Sequence, residues 1–389
     1  MKRYSIWFIL LAAWLLVACS KESEQTVTPT PTPTPTPGGQ TPDKPDPTPQ
    51  PPVVGDGDPM WLVATTRAGV DSDNEDYSPI QIFLISGPEG ALTSKREGLF
   101  MYDAGWYSTI GLKESDPWAC IYGYSPADAA QCAISPLSGT SYHSGAELTM
   151  SKVNAASGDD LCVIIGVKHA ETAIDAQGIP ARGQFAFERK SNNYVGLLLD
   201  HIFARIDFKV KIGLEYNKRR HVKVKKLELL SDYELTGVTV KLTAGDTQAS
   251  TNPKVEYALS AVAAEADKPT GIVYDFTEDA SHPMGLPLTT EGSDNIFSGY
   301  FAPDADSKIA QGLSLVCTYD VYVIDNNNKI GTRVRENCVA VNSLKGVFSS
   351  LNAPLKRGQK TTLNLTVEPT YLYQLSDDEL DNPGIKIEN

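Results

Sequence analysis

Alternation of apolar and polar residues is the dominant pattern in this chain. Ile202, Ala204, Ile206, Phe208, Val210 and Ile212 alternate with His201, Arg205, Asp207, Lys209 and Lys211. A period of two over that length predicts a strand with one buried face. Leu363, Leu365 and Val367 alternate in the same way with Thr362, Asn364, Thr366 and Glu368. Val222 and Val224 share one parity while Leu227 and Leu229 take the other, which predicts a β-bulge near Lys225-Lys226. The sequence holds no long amphipathic helical pattern, and the Ala-rich stretch Leu259–Ala266 predicts at most a short helix. Turn residues punctuate the chain at strand-like intervals, as in β-sandwiches.

One hairpin can be registered. Val316 to Ile324 and Lys329 to Val341 flank Asp325-Asn326-Asn327-Asn328, and a two-residue turn at Asn327-Asn328 fits because Asn tolerates positive φ. That register sets Asp320 opposite Arg335 and Tyr322 opposite Arg333 on one face. It sets Val321 opposite Val334 and Cys317 opposite Cys338 on the other. Directly opposed cysteines either form a cross-strand disulfide, where geometry allows, or remain two buried thiols.

The N-terminus follows a different pattern. Met1-Lys2-Arg3, an apolar run from Ile6 to Ala18 and then Cys19 have the anatomy of a secretory signal. The run falls short of the about 20 residues that a spanning helix needs. Leu16-Val17-Ala18-Cys19 resembles the lipobox of bacterial lipoproteins, which implies that Cys19 is acylated, becomes the mature N-terminus and anchors the chain in the outer membrane. Acyl chains hold because each buried CH₂ contributes about 0.8 kcal/mol. From Thr26 to Pro52 threonine and proline alternate, a composition that forms no core. In polyproline II, at ~3.1 Å per residue, it makes a stalk of about 80 Å. The expected organisation is a signal peptide at 1–18, a stalk at 19–59, and two sandwich domains at 60–200 and 201–389.

Composition narrows the chemistry. A net charge of −14 and a pI near 4.9 argue against nucleic acid as a partner. The cysteines after Cys19 form no C-x-x-C pair or zinc pattern. His143, His169, His201, His221 and His282 lie in separate segments without ligand spacing. No metal and no cofactor are therefore expected. Asp71, Asp73, Glu75 and Asp76 begin like a calcium loop, but Asp76 stands where glycine belongs and Ile82 where glutamate belongs. Gly139-Thr140-Ser141-Tyr142-His143 only begins like a nucleophile elbow. The basic stretch Lys209–Lys226 reads as solvated strand faces and a loop that deter edge pairing. Trp61, Trp106 and Trp118 are open between core and sugar stacking. With no catalytic constellation, the chain reads as a non-enzyme.

Several segments, taken in order, carry a family resemblance. They are Trp61-Leu62-Val63-Ala64-Thr65-Thr66-Arg67-Ala68-Gly69, the strand Ile80–Ile85, Cys120-Ile121-Tyr122-Gly123-Tyr124-Ser125-Pro126, Asp159-Asp160-Leu161, Asp200–Phe208, and Leu363–Leu365 through Tyr371–Asp377. In this the chain resembles the fimbrillins, pilus subunits of Bacteroidota. The resemblance implies an all-β fold of two tandem transthyretin-like sandwiches. It also implies cleavage between Arg67 and Ala68 by an Arg-specific protease, which frees a removable first strand at 60–67. Assembly by strand exchange with other pilus subunits would follow, with Ile385 and Ile387 as the candidate donor tail. A host or bacterial surface ligand for adhesion is implied as well, with the fimbrium as the final location. The competing reading is a stalked surface lipoprotein that binds glycans for nutrient uptake.

Overall fold

The computed structural model describes residues 57–68, 78–103, 105–154, 156–157, 160–245, 254–265, 270–292, 297–303, 312–325, 327, 329–344, 355–368 and 384–388. The signal segment, Cys19, the proline-rich stalk, the acidic stretch Asp71–Asp76 and Tyr371–Asp377 lie outside them. One compact unit spans Pro49–Asn389.

The unit is built almost wholly of strands. In chain order they begin with β1 (Asp58–Ala68), β2 (Ile80–Gly87), β3 (Ser94–Tyr102), β4 (Trp106–Leu112), β5 (Trp118–Ser125), β6 (Gln131–Pro136) and β7 (Gly145–Ser151). There follow β8 (Ala156–Ser157), β9 (Cys162–Ala170), β10 (Ala186–Glu188), β11 (Tyr194–His201), β12 (Ala204–Ile212), β13 (Arg220–Ser231) and β14 (Tyr233–Thr243). The last are β15 (Val255–Ala263), β16 (Thr270–Asp275), β17 (Leu286–Pro287), β18 (Phe297–Phe301), β19 (Leu313–Ile324), β20 (Ile330–Ser343), β21 (Lys360–Glu368) and β22 (Gly384–Glu388). Helices among the described residues are single turns, Ala173–Ala176 and Leu214–Asn217, with a 3₁₀ turn at Phe276–Glu278.

Four sheets result. The largest runs β10-β5-β2-β3-β4-β1-β11-β9 and partly closes on itself where Tyr124 and Ser125 of β5 pair with Val163 and Cys162 of β9. Its β2 and β5 are buried along nearly their whole length, so both faces are covered. The others run β22-β21-β12-β18-β8, β16-β13-β19-β20 and β15-β14-β7-β6. Two of these combine strands from both sides of residue 200.

The alternating segments behave as strands should. Ile206, Phe208, Val210 and Ile212 of β12 are buried beside Leu363, Leu365 and Val367 of β21, its parallel neighbour. The bulge predicted at Lys225-Lys226 is present, with the register shifting between Val224 and Lys226. Periodicity misjudged two polar positions: His201 and Asp207 are 1% exposed. The Ala-rich stretch contributes to β15 rather than a helix, because pairing with β14 outweighs the weak helical preference of alanine.

The predicted hairpin register holds only near its tip. Tyr322 does oppose Arg333, but the closing residues are Asp325 and Lys329 around three loop residues, not two. The Asp325 carboxylate accepts from the backbone N–H of Asn327 and of Lys329, an interaction a two-residue turn has no room for. Further along, successive shifts set Val321 opposite Arg335, Tyr319 opposite Cys338 and Cys317 opposite Ala340. Cys317 and Cys338 are therefore diagonal rather than opposed.

Candidate functional site

The first strand occupies a defined seat. β1 lies between β4, to which it is antiparallel, and β11, to which it is parallel. Met60 and Leu62, two residues apart on one face, are 0% and 6% exposed. The backbone N–H of Met60 donates to Ser108 Oγ at 2.8 Å, and that hydroxyl donates to the carbonyl of Ile110 at 2.6 Å. Trp61 N–H donates to the Asn193 carbonyl, and Asn193 Nδ2 reaches back to the Asp58 carbonyl at 3.1 Å. Arg189 pairs with Asp58 at 3.0 Å. The chain enters this seat in close backbone contact with β4: a Cβ at Gly111 would collide with the backbone of Gly57 and Asp58.

The two halves of β1 are held differently. Asp58–Leu62 pairs with β4 and, from Trp61, with β11 as well. From Ala64 to Ala68 the described pairing is with β11 alone, and Arg67 stands opposite Leu199. β1 thus runs through Arg67 to Ala68, and among the described residues Arg67 lies in the part paired with β11 alone.

Behind the seat, register aligns Trp106, Leu62, Val195 and His169 across four strands. His169 stacks on Phe187 with ring centres 4.6 Å apart, and its ring nitrogens are buried, with Asn193 beside them. Burial lowers its pKa to about 4. The unfolded chain takes up this proton near the ordinary value of 6.5 and the folded chain does not, so stability present above pH 6.5 is lost as pH falls toward 4. The loss attributable to His169 is about 2–3 kcal/mol. Thermal midpoints of wild type and His169→Phe, measured from pH 7 to pH 4.5, should show a shallower acid decline in the variant.

On the outer face, Met101, Tyr107, Trp61 and Tyr194 form a register-aligned row across β3, β4, β1 and β11. The three aromatic members are half-buried. Trp106 and Trp118 instead pack against the core.

The candidate tail is also docked. β22 pairs antiparallel with the edge of β21, burying Ile385 and partly burying Ile387. Asn342 Nδ2 of β20 donates to the Ile385 carbonyl at 2.7 Å.

A second cluster went unnoticed in the sequence. Asp160, Cys162 and His201 are 5%, 0% and 1% exposed. His201 Nδ1 lies 2.8 Å from Asp160 Oδ1 and 3.5 Å from Cys162 Sγ. Cys162 and His201 are register partners across β9 and β11, at the point where the large sheet closes. The signal was available in Asp159-Asp160-Leu161 and His201, but nothing local said that these segments meet. Elsewhere burial pushes the Cys132 and Cys317 thiols up to about 12, and Cys120 higher still, so these thiols stay protonated and poorly nucleophilic at neutral pH. The basic stretch is partly neutralised: Lys226 pairs with Glu228, and Lys225 with Asp320.

No protein-family profile matches this sequence, and no curated protein does. Solved structures do. A fimbrial protein from Bacteroides vulgatus is similar at 14% identity over 85% of this chain and 98% of its own, with a TM-score of 0.41. A candidate cell adhesion protein from Bacteroides fragilis is similar at 13% identity over 86% and 95%, with a TM-score of 0.33. A fimbrial protein from Bacteroides ovatus is similar at 11% identity over 78% of this chain and 48% of its own, with a TM-score of 0.31.

Proposed function

We propose that this chain is a structural subunit or accessory component of a cell-surface pilus that contributes to adhesion. In this reading it is exported as a lipoprotein through Cys19 and assembles by strand exchange after cleavage at Arg67. One observation carries it: the strand at the start of the described fold is intercalated between β4 and β11, yet among the described residues it pairs around Arg67 with β11 alone. A protease binds its substrate as an extended segment, and a singly paired strand end peels more easily than a doubly paired one. Departure of β1 would leave unpaired backbone on β4 and β11 and empty the pockets of Met60 and Leu62. Such a slot invites a strand from another chain. Ile385 and Ile387 repeat the two-residue spacing of Met60 and Leu62, which suits them as a donor once β22 leaves β21.

Purified precursor treated with an Arg-specific protease should acquire Ala68 as its N-terminus and form a ladder of multimers, while Arg67→Ala stays uncut and monomeric. Normal polymerisation of uncut Arg67→Ala protein would end this mechanism.

The row of Met101 with the half-buried rings of Tyr107, Trp61 and Tyr194 favours the glycan-binding alternative, since rings with one face open to solvent stack on sugars. That reading expects saturable polysaccharide binding, lost in Trp61→Ala, with no multimer ladder. Departure of the cleaved strand would take Trp61 out of the row, so the two readings separate on one protein.

A further inference from the structure

We infer that Asp160, Cys162 and His201 form a buried site for a divalent transition metal of the zinc type. Three chemically different donors converge on one point, and their ligand atoms all lie within 4.8 Å of one another. The contacts made by His201 Nδ1 conflict. A proton on Nδ1 suits the Asp160 carboxylate, whereas a lone pair suits a thiol donor, and one nitrogen supplies one of these at a time. A cation between the three atoms satisfies both contacts at once.

The nitrogen–sulfur distance and the charge agree with that assignment. A tetrahedral zinc with Zn–N near 2.0 Å and Zn–S near 2.3 Å sets nitrogen and sulfur about 3.5 Å apart. The Nδ1–Sγ separation is 3.5 Å. The carboxylate oxygen, at 2.8 Å from Nδ1, has to withdraw by about half an ångström to reach a tetrahedral corner. Binding breaks the Cys162 S–H bond, forms a metal–thiolate bond and releases the proton to solvent. One carboxylate, one thiolate and a neutral imidazole then cancel a 2+ charge, which suits a site this deeply buried. A cavity of about 240 Å³, lined by Leu161, Phe203, Asp128, Lys152 and Asn154, lies beside the segments that carry the donors without reaching the donor side chains themselves. By position, the metal would tie β9 to β11 where the large sheet closes.

The test uses the full chain, purified in detergent and reloaded with cobalt(II) or zinc(II) after chelation. The expected result is about one equivalent of metal per chain and a thiolate-to-cobalt charge-transfer band. Cys162→Ser should lose the band, Asp160→Asn and His201→Gln should lose stoichiometric binding, and Cys132→Ser, at a half-exposed thiol, should keep both. Chelation should lower the thermal midpoint of the wild type and leave that of Cys162→Ser unchanged, which separates metal loss from a folding defect. Absence of stoichiometric metal in the wild type, or a band that survives in Cys162→Ser, overturns the assignment.

Discussion

After cleavage at Arg67, a chain carrying both Met60→Ala and Leu62→Ala is expected to shed its N-terminal strand at least a thousandfold more readily than cleaved wild type. Cleavage removes the covalent tie but none of the pairing, so retention of the strand rests on what β1 buries and how it is bonded. Met60 and Leu62 are its deeply buried side chains among those described. Truncating a buried Met or Leu to Ala costs about 2–5 kcal/mol. The two residues face the same core row and their losses will overlap, so about 5 kcal/mol for the pair is a fair expectation. At about 1.4 kcal/mol per tenfold, that is a change of 10³–10⁴ in the dissociation constant. Trp61 travels with the strand and provides the readout. Its fluorescence in the cleaved protein, followed on dilution with size-exclusion to recover the free peptide, reports departure. Equal rates from wild type and double variant would mean that backbone pairing alone holds the strand, and the vacated pockets would lose their role in strand exchange.

The parts of this arrangement that were legible in the sequence share a property: each is set by a short repeating pattern. Ile206 to Ile212 and Leu363 to Val367 alternate because one face of a strand meets the core, and that needs no knowledge of the partner strand. The bulge at Lys225-Lys226 was visible because an extra residue inverts parity. What required the fold was the partner. His201 looked like one more polar residue in an alternating strand, until its position opposite Cys162 turned it inward against Asp160. The hairpin of β19 and β20 failed for a related reason. A register extrapolated from a turn misses the bulges that reset it along the strands, and these lie beside a buried carboxylate. That β1 is a strand of the fold was likewise suggested only by family resemblance, and its place between β4 and β11 not at all, since pattern alone could not assign its neighbours.

That carboxylate is Asp320, and its removal is expected to be the most damaging single substitution in the C-terminal sheets. It is 0% exposed on β19. Its Oδ1 accepts the backbone N–H of Asn337 at 2.8 Å, and its Oδ2 faces Arg333 Nη1 at 3.2 Å and Lys225 Nζ at 3.3 Å. Asn337 has φ +54, a left-handed conformation that costs a non-glycine residue energy unless something holds it. Lys225 also donates to Asn337 Oδ1 at 2.8 Å. One buried group thus pins irregularities in both flanking strands, at Lys225 in β13 and at Asn337 in β20. Asp320→Ala leaves a backbone donor unpaired, two cations with only the half-exposed Glu336 carboxylate, and the left-handed residue held by Lys225 alone. Breaking a buried ion pair costs about 3–5 kcal/mol, and the partial exposure of Lys225 and Arg333 favours the lower end, because water can reach them. The urea midpoint of Asp320→Ala should fall by the equivalent of about 3 kcal/mol with the slope unchanged. Asp320→Asn, which keeps an acceptor for Asn337, should lose less. In a cycle with Arg333→Met, the double variant should be less destabilised than the sum of the singles, because the stranded cation has gone with its partner. An Asp320→Ala protein within 1 kcal/mol of wild type would mean that the bulges are fixed by backbone pairing and the hydrophobic row behind them. The carboxylate would then be a passenger in its own network.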